Sequence, residues 1–158
     1  MQDPIVTITP SPVRRTVSVG ILLFLGALLV YLAFAVPLSS VAHQIALIAL
    51  GVGALILGDR MRRATSISIM MTQKAIVDST GAQLCRIDEI EGIDRGVFAF
   101  KPANGFLLRT KHPLGRHWSP GLWWRFGRRI GVGGATPASQ GKLMAELIAM
   151  QLAEEARS

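Results

Sequence analysis

Residues able to do chemistry are few in this chain, and they are scattered. The histidines are His43, His112 and His117. His112 and His117 share one basic stretch with no carboxylate close to them in sequence, so a metal site there needs ligands from elsewhere in the fold. Solvated loop histidines are the plainer reading. The acidic run Asp88, Glu89, Glu91 and Asp94 has the charge to attract a cation. Its spacing fits no calcium loop, and the bidentate Glu at the required distance is missing, so it reads as a solvated turn that balances nearby arginines. Gly131, Val132, Gly133 and Gly134 precede a helical pattern, as phosphate loops do. The Lys-Ser/Thr of a P-loop is absent, as are the glycine fingerprint and the strand–helix–strand context of a dinucleotide site, so this is a glycine-rich strand end. Cys85 is the one cysteine. Alone it forms no disulfide within the chain and no thiolate cage, and nothing local lowers its pKa. No nucleophile with its base, carboxylate pair or ligand cluster converges. The chain therefore reads as non-enzymatic, with no catalytic residue, metal or cofactor.

A different chemistry rises above this background. Between residues 95 and 130 there are eight basic residues (Arg95, Lys101, Arg109, Lys111, Arg116, Arg125, Arg128 and Arg129), no Asp or Glu, and all the tryptophans, Trp118, Trp123 and Trp124. Cations interleaved with indoles suit an anionic membrane surface, where charge attracts headgroups and the rings prefer the interface. They equally suit a docking surface for another protein. The expected interaction surface is Arg109, Lys111, Arg116, Trp118, Trp123, Arg125, Arg128 and Arg129. Trp124 and Phe126 share one strand face and are expected to fill the core. Basic residues with aromatics also suit nucleic acid, but a membrane tether argues against that partner.

The tether is written in the first third of the chain. Of 158 residues, 50% are hydrophobic, too apolar a balance for an average soluble domain. Residues 16–36 carry no charge, and neither do residues 37–58. Each run approaches the ~20 residues that cross a bilayer core as a helix. A cleaved signal peptide has the right basic start in Arg14 and Arg15, but the run is longer than an h-region of about 7–15 residues and a second one follows at once. Spans at 16–36 and 41–58, a periplasmic turn at 37–40 and a basic linker at 59–64 are expected. Arg14 and Arg15 flank the first span, Arg60, Arg62 and Arg63 flank the second, and the turn between has no Lys or Arg. The positive-inside rule then places both termini, including the 1–15 segment, in the cytoplasm. Ala42 with Ala46, and Ala49 with Gly53, have the small-residue spacing that permits close helix contact.

Residues 65–156 read as a domain of strands closed by one helix. Strand patterns are expected over 65–72, 75–78, 82–87, 93–100 and 106–111, with a glycine turn at 79–81 and a break at 88–92. Pro102, Ala103, Asn104 and Gly105 form a strong turn signal. The two prolines and two glycines of 112–121 predict a loop, and 122–132 one further strand or hairpin. Thr136 and Pro137 then open a helix, with Leu143, Met144, Leu147, Ile148 and Leu152 on one face.

Several short antiparallel strands followed by one amphipathic C-terminal helix resembles the pleckstrin-homology (PH) fold. Behind a two-helix membrane hairpin, the chain is similar to bacterial inner-membrane proteins that carry PH-like domains. The most similar stretch is SISIMMTQKAIVDSTGAQLCRID, followed by Ile87, Ile90 and Ile93. The resemblance implies a membrane α-helical hairpin plus an α+β domain, a bent antiparallel sheet or barrel capped by the helix. An OB-like barrel is the alternative, against which the terminal helix argues. The phosphoinositide site of eukaryotic PH domains does not carry over, because the loop between the first two strands here has only Lys74. The expected role is an accessory or assembly subunit that docks on an inner-membrane protein complex. Recognition of anionic phospholipids is the alternative.

Overall fold

The computed structural model describes residues 4–37, 40–94, 102–155 and 157. The chain forms two units, one of residues 12–63 and one that combines the segment up to Ser11 with residues 64–158.

The first unit is two long helices, α1 (Pro12–Ala35) and α2 (Val41–Ala64), each of 24 residues and each long and apolar enough to cross a membrane. Pro12 opens α1 in the first turn, where its missing N–H costs nothing. Pro37 ends it, because the residue before a proline is pushed out of the helical region. Ser40 caps α2, its Oγ accepting from the Ala42 N–H at 3.2 Å. The helices extend beyond the uncharged runs into their charged ends. Residues 59–64 are therefore not a linker but the last turns of α2, where Asp59 pairs with Arg62 at 3.3 Å and Arg63 at 2.7 Å. The helices touch through glycine: a Cβ on Gly26 would meet the Gly51 carbonyl at 2.8 Å, and one on Gly51 would meet the Gly26 carbonyl at 2.9 Å. The expected contact residues Ala42, Ala46, Ala49 and Gly53 are instead exposed. Most of the helix surface is bare and apolar, with Phe24, Phe34 and Leu50 at 71%, 70% and 65% exposure. A helix buried in a soluble core does not look like this.

Among the described residues the second unit has seven strands and a helix. Strands β1 (Val6–Ile8), β2 (Ile69–Met71), β3 (Ala75–Asp78) and β4 (Gln83–Arg86) form one antiparallel sheet in that order. Strands β5 (Ile90–Ile93), β6 (Phe106–Ser119) and β7 (Trp123–Val132) form another. Helix α3 (Ala138–Glu155) packs on β1, β5 and β6. Ile8, Ile69, Met71, Ile76, Leu84, Ile87, Ile90, Leu108, Trp123, Ile130, Met144 and Ile148 build the core.

Several expectations change. The N-terminal segment is not a tail. Val6, Thr7 and Ile8 pair with Met71, Met70 and Ile69, and Ile8 is fully buried. The expected strand at 65–72 shortens to Ile69–Met71, and residues 90–93 form β5 where a break was expected. The rest of the strand expected to Phe100 lies outside the described residues. The loop expected at 112–121 is mostly strand, since β6 runs 14 residues to Ser119. Proline is tolerated at position 113 because the pairing with β7 is interrupted between Arg109 and Leu114. On α3, Met144 and Ile148 face the core, while Leu143 is 48% exposed.

Two local devices hold the frame. Asp78, buried, turns β3 into β4: its Oδ1 accepts from the Thr80 N–H at 2.9 Å, the Thr80 hydroxyl at 2.5 Å and the Ala82 N–H at 2.9 Å. Gly81, at φ +89°, completes the turn in a conformation that costs a side chain dearly.

Candidate interaction surface on the β6–β7 ribbon

The long ribbon of β6 and β7 carries every residue of the expected surface, and its register decides which way each one points. His117 pairs with Arg125, Trp118 with Trp124 and Ser119 with Trp123. Successive side chains alternate between faces. Arg116, Trp118, Trp124 and Phe126 thus share one face, and His117, Trp123 and Arg125 the other.

The face of Trp123 is the inner one. Trp123 is 1% exposed and belongs to the core, so it leaves the interaction surface. The His117 ring stacks on it, centroids 4.2 Å apart and planes 10° from parallel, and His117 Nε2 lies 3.0 Å from the Ser119 hydroxyl. Arg125 also turns inward. Its Nε donates to the Gly115 carbonyl at 2.7 Å, and its Nη1 donates to the carbonyls of Gln83 at 3.2 Å and Leu84 at 2.8 Å. It ties the ribbon to β4 of the other sheet rather than offering its charge to a partner.

The face of Trp118 is the outer one. Trp118 is 60% and Phe126 58% exposed, so Phe126 is not the core residue expected. The pairing of β6 with β7 is irregular on both sides of Leu114, which stands opposite Gly127 at φ +58°, and the alternation of inward and outward side chains changes phase across that break. Trp123 therefore shares the core face with Ile130 and Val132, and Trp124 and Phe126 are turned outward. Trp124 is half-buried and lies flat on Gly131, where a Cβ would fall 2.4 Å from indole atoms. The Arg116 guanidinium sits over the Phe126 ring, 4.8 Å from its centroid, within cation–π range. Between these rings opens a shallow groove of about 410 Å³, lined by Arg116, His117, Trp118, Trp124, Arg125 and Phe126.

Electrostatics sort the remaining cations. Glu91 pairs with Arg109 at 3.1 Å and Arg128 at 2.8 Å, and Arg128 Nε donates to the Thr110 carbonyl at 2.8 Å. Arg86 pairs with Asp88 at 2.6 Å, while the Glu89 carboxylate accepts from the Arg86 N–H at 2.8 Å. The acidic run thus balances arginines. These pairs are half-exposed and individually weak, but they locate the charge that is left over. Among the described residues, no carboxylate pairs with Lys111, Arg116 or Arg129, all exposed. Arg95 and Lys101 lie outside the described residues.

The other candidates take plain places. Cys85 is buried, and burial, with some help from Glu89, pushes its thiol up to about 12. The Gly133 and Gly134 amides donate to the carbonyls of Leu122 at 2.8 Å and Ala103 at 2.6 Å, so they are not presented to a phosphate. His43 and His112 are exposed. No group of three or more His, Cys, Asp or Glu among the described residues is placed to hold a metal ion.

No protein-family model, curated protein or solved structure matches this chain.

Proposed function

We propose that this chain is a non-enzymatic, membrane-anchored interaction module of the bacterial inner membrane. A PH-like domain on the cytoplasmic side docks on a membrane protein or complex through the outer face of the β6–β7 ribbon, and the chain acts as an accessory or assembly subunit. The observation that carries this reading is the outer face itself: two large aromatic side chains more than half exposed, an arginine held over one of them, and no carboxylate anywhere in the ribbon. Exposed aromatics with arginine are the composition of protein contact sites. A four-stranded and a three-stranded antiparallel sheet closed by a C-terminal helix supports the PH-like assignment.

The topology has two supports. Arg14, Arg15, Arg60, Arg62 and Arg63 cluster at the outer ends of the two helices, and the connection between them has none. Independently, β1 precedes α1 and pairs with β2, which follows α2. Chain that leaves and re-enters one sheet crosses a bilayer an even number of times.

The test is copurification of a tagged full chain from native membranes in mild detergent. The reading expects a stoichiometric protein partner that Trp118→Ala/Phe126→Ala loses. A partner retained equally by the double variant overturns it. The exposed Lys111, Arg116 and Arg129 of the same ribbon also suit anionic headgroups, and retention of anionic lipid with no protein selects that reading instead.

A further inference from the structure

We infer that the segment seated on the ribbon is an acidic stretch of a partner protein that inserts an apolar side chain between Trp118 and Phe126 and places a carboxylate against Arg116. This rests on the docking reading above and goes further by fixing the chemistry of what docks.

Three observations carry it. The first is charge. From residue 95 to residue 145 the sequence has no Asp or Glu. Lys111, Arg116 and Arg129 have no carboxylate among the described residues, whereas Arg109 and Arg128 share Glu91 and Arg125 is spent on backbone carbonyls. The unmatched charge therefore lies on this ribbon, and Arg116 lines the groove itself. A segment that brings carboxylates there is steered to it and fixed in register, and a basic segment is repelled.

The second is shape. The aromatic residues flank a concavity of about 410 Å³, with Trp124 seated on Gly131 beside them. A fluid headgroup layer is met best by protruding rings, whereas a concavity suits one inserted side chain. The third is the placement of Arg116. Stacked at 4.8 Å over Phe126, its guanidinium is partly immobilised before anything binds, and a planar guanidinium presents paired donors that match a carboxylate. Its charge is held beside an apolar wall, where an ion pair is screened less than in open water.

The test is photo-crosslinking in native membranes, with benzoylphenylalanine in place of Phe126 in the full chain and Trp118 and Arg116 kept. The adduct is expected on a protein segment in which several Asp or Glu flank an apolar residue. Arg116→Glu is expected to lower its yield about tenfold, while Arg116→Lys, which keeps the charge, retains most of it. An adduct on a basic or uncharged segment, or a yield indifferent to Arg116→Glu, overturns the acidic-segment inference and leaves docking through the ribbon standing. Adducts to lipid alone overturn both. Should the probe at Phe126 prevent accumulation of the chain, the same probe at Trp118, also exposed, makes the same distinction.

Discussion

Arg125 and Trp123 illustrate how one residue of register separates a surface from a core. Both belong to a run of arginines and aromatics that reads as a contact surface, and both turn inward because the alternation changes phase at the irregular pairing around Leu114 and Gly127. A break in strand pairing has no signature in residue types, so these alone do not place Trp123 inside and Phe126 outside. Arg125→Ala removes three charge-assisted hydrogen bonds, of which the two to Gln83 and Leu84 link the two sheets and the one to Gly115 stays within the ribbon. Bonds of this kind contribute ~1.5–3 kcal/mol each, less than additively when they share one side chain. The expected loss is about 2–4 kcal/mol in urea unfolding of the purified chain. Arg125→Lys should restore little of it, because an ammonium does not span three carbonyls in the plane of a guanidinium. Cys85 provides a second measurement. Its thiol is pushed from 9.0 up to about 12, mainly by burial. Between those values the unfolded chain loses the proton and the folded chain keeps it, so stability falls as pH rises from about 9 towards 12. At pH 8 the folded thiol should resist maleimide, and alkylation should report unfolding. Fast labelling of the native chain would contradict its burial.

At the scale of elements, what was legible followed hydropathy. Two uncharged runs, a glycine turn after Asp78, a turn at Asn104 and an amphipathic terminal helix all stand in the structure near where the patterns put them. What was missed depended on long-range pairing. β1 alternates over Val6, Thr7 and Ile8, but it is short and flanked by prolines, and its partner β2 lies some sixty residues on, beyond both helices. The later part of β6 carries prolines and glycines that read as a loop. Pairing with β7 on either side of an irregular stretch keeps it extended all the same. The helix contact also departs from the spacing of Ala42, Ala46, Ala49 and Gly53, because close approach is decided by Gly26 against Gly51. β1 yields the sharpest prediction here. Ile8→Ala opens a cavity in a fully buried site and should cost ~2–5 kcal/mol, while Thr7→Ala, exposed on the same strand, should cost little. A chain lacking residues 4–8 leaves the β2 edge unpaired and should expose Cys85 to alkylation. Unchanged Cys85 protection would contradict a structural role for the N-terminal strand.

At the scale of the molecule, a strand pairing ties the two halves of the account together. The sheet is begun before the apolar helices and finished after them, so the proposed topology needs both of its chain segments on one side of the membrane. That constraint agrees with the arginines at the helix ends. The outer ribbon face then presents Trp118 and Phe126 to whatever lies beyond, and the central claim is that this face is covered in the cell. The most direct measurement is the labelling rate of single introduced cysteines by an impermeant maleimide, in inside-out vesicles and again after purification, with buried Cys85 as a silent background. Gly115→Cys is exposed and next to Arg116 in the chain, with its Cβ 3.9 Å from Nη2 of Arg125, a residue that lines the groove, and Ala103→Cys is an exposed site at the other end of the ribbon. Rapid labelling is expected at position 103 in vesicles, with labelling about tenfold slower at position 115, and equal rates once the chain is purified. Equal rates already in the vesicles would mean the ribbon is bare, and labelling of either site only after the vesicles are opened would put the domain on the wrong side of the membrane.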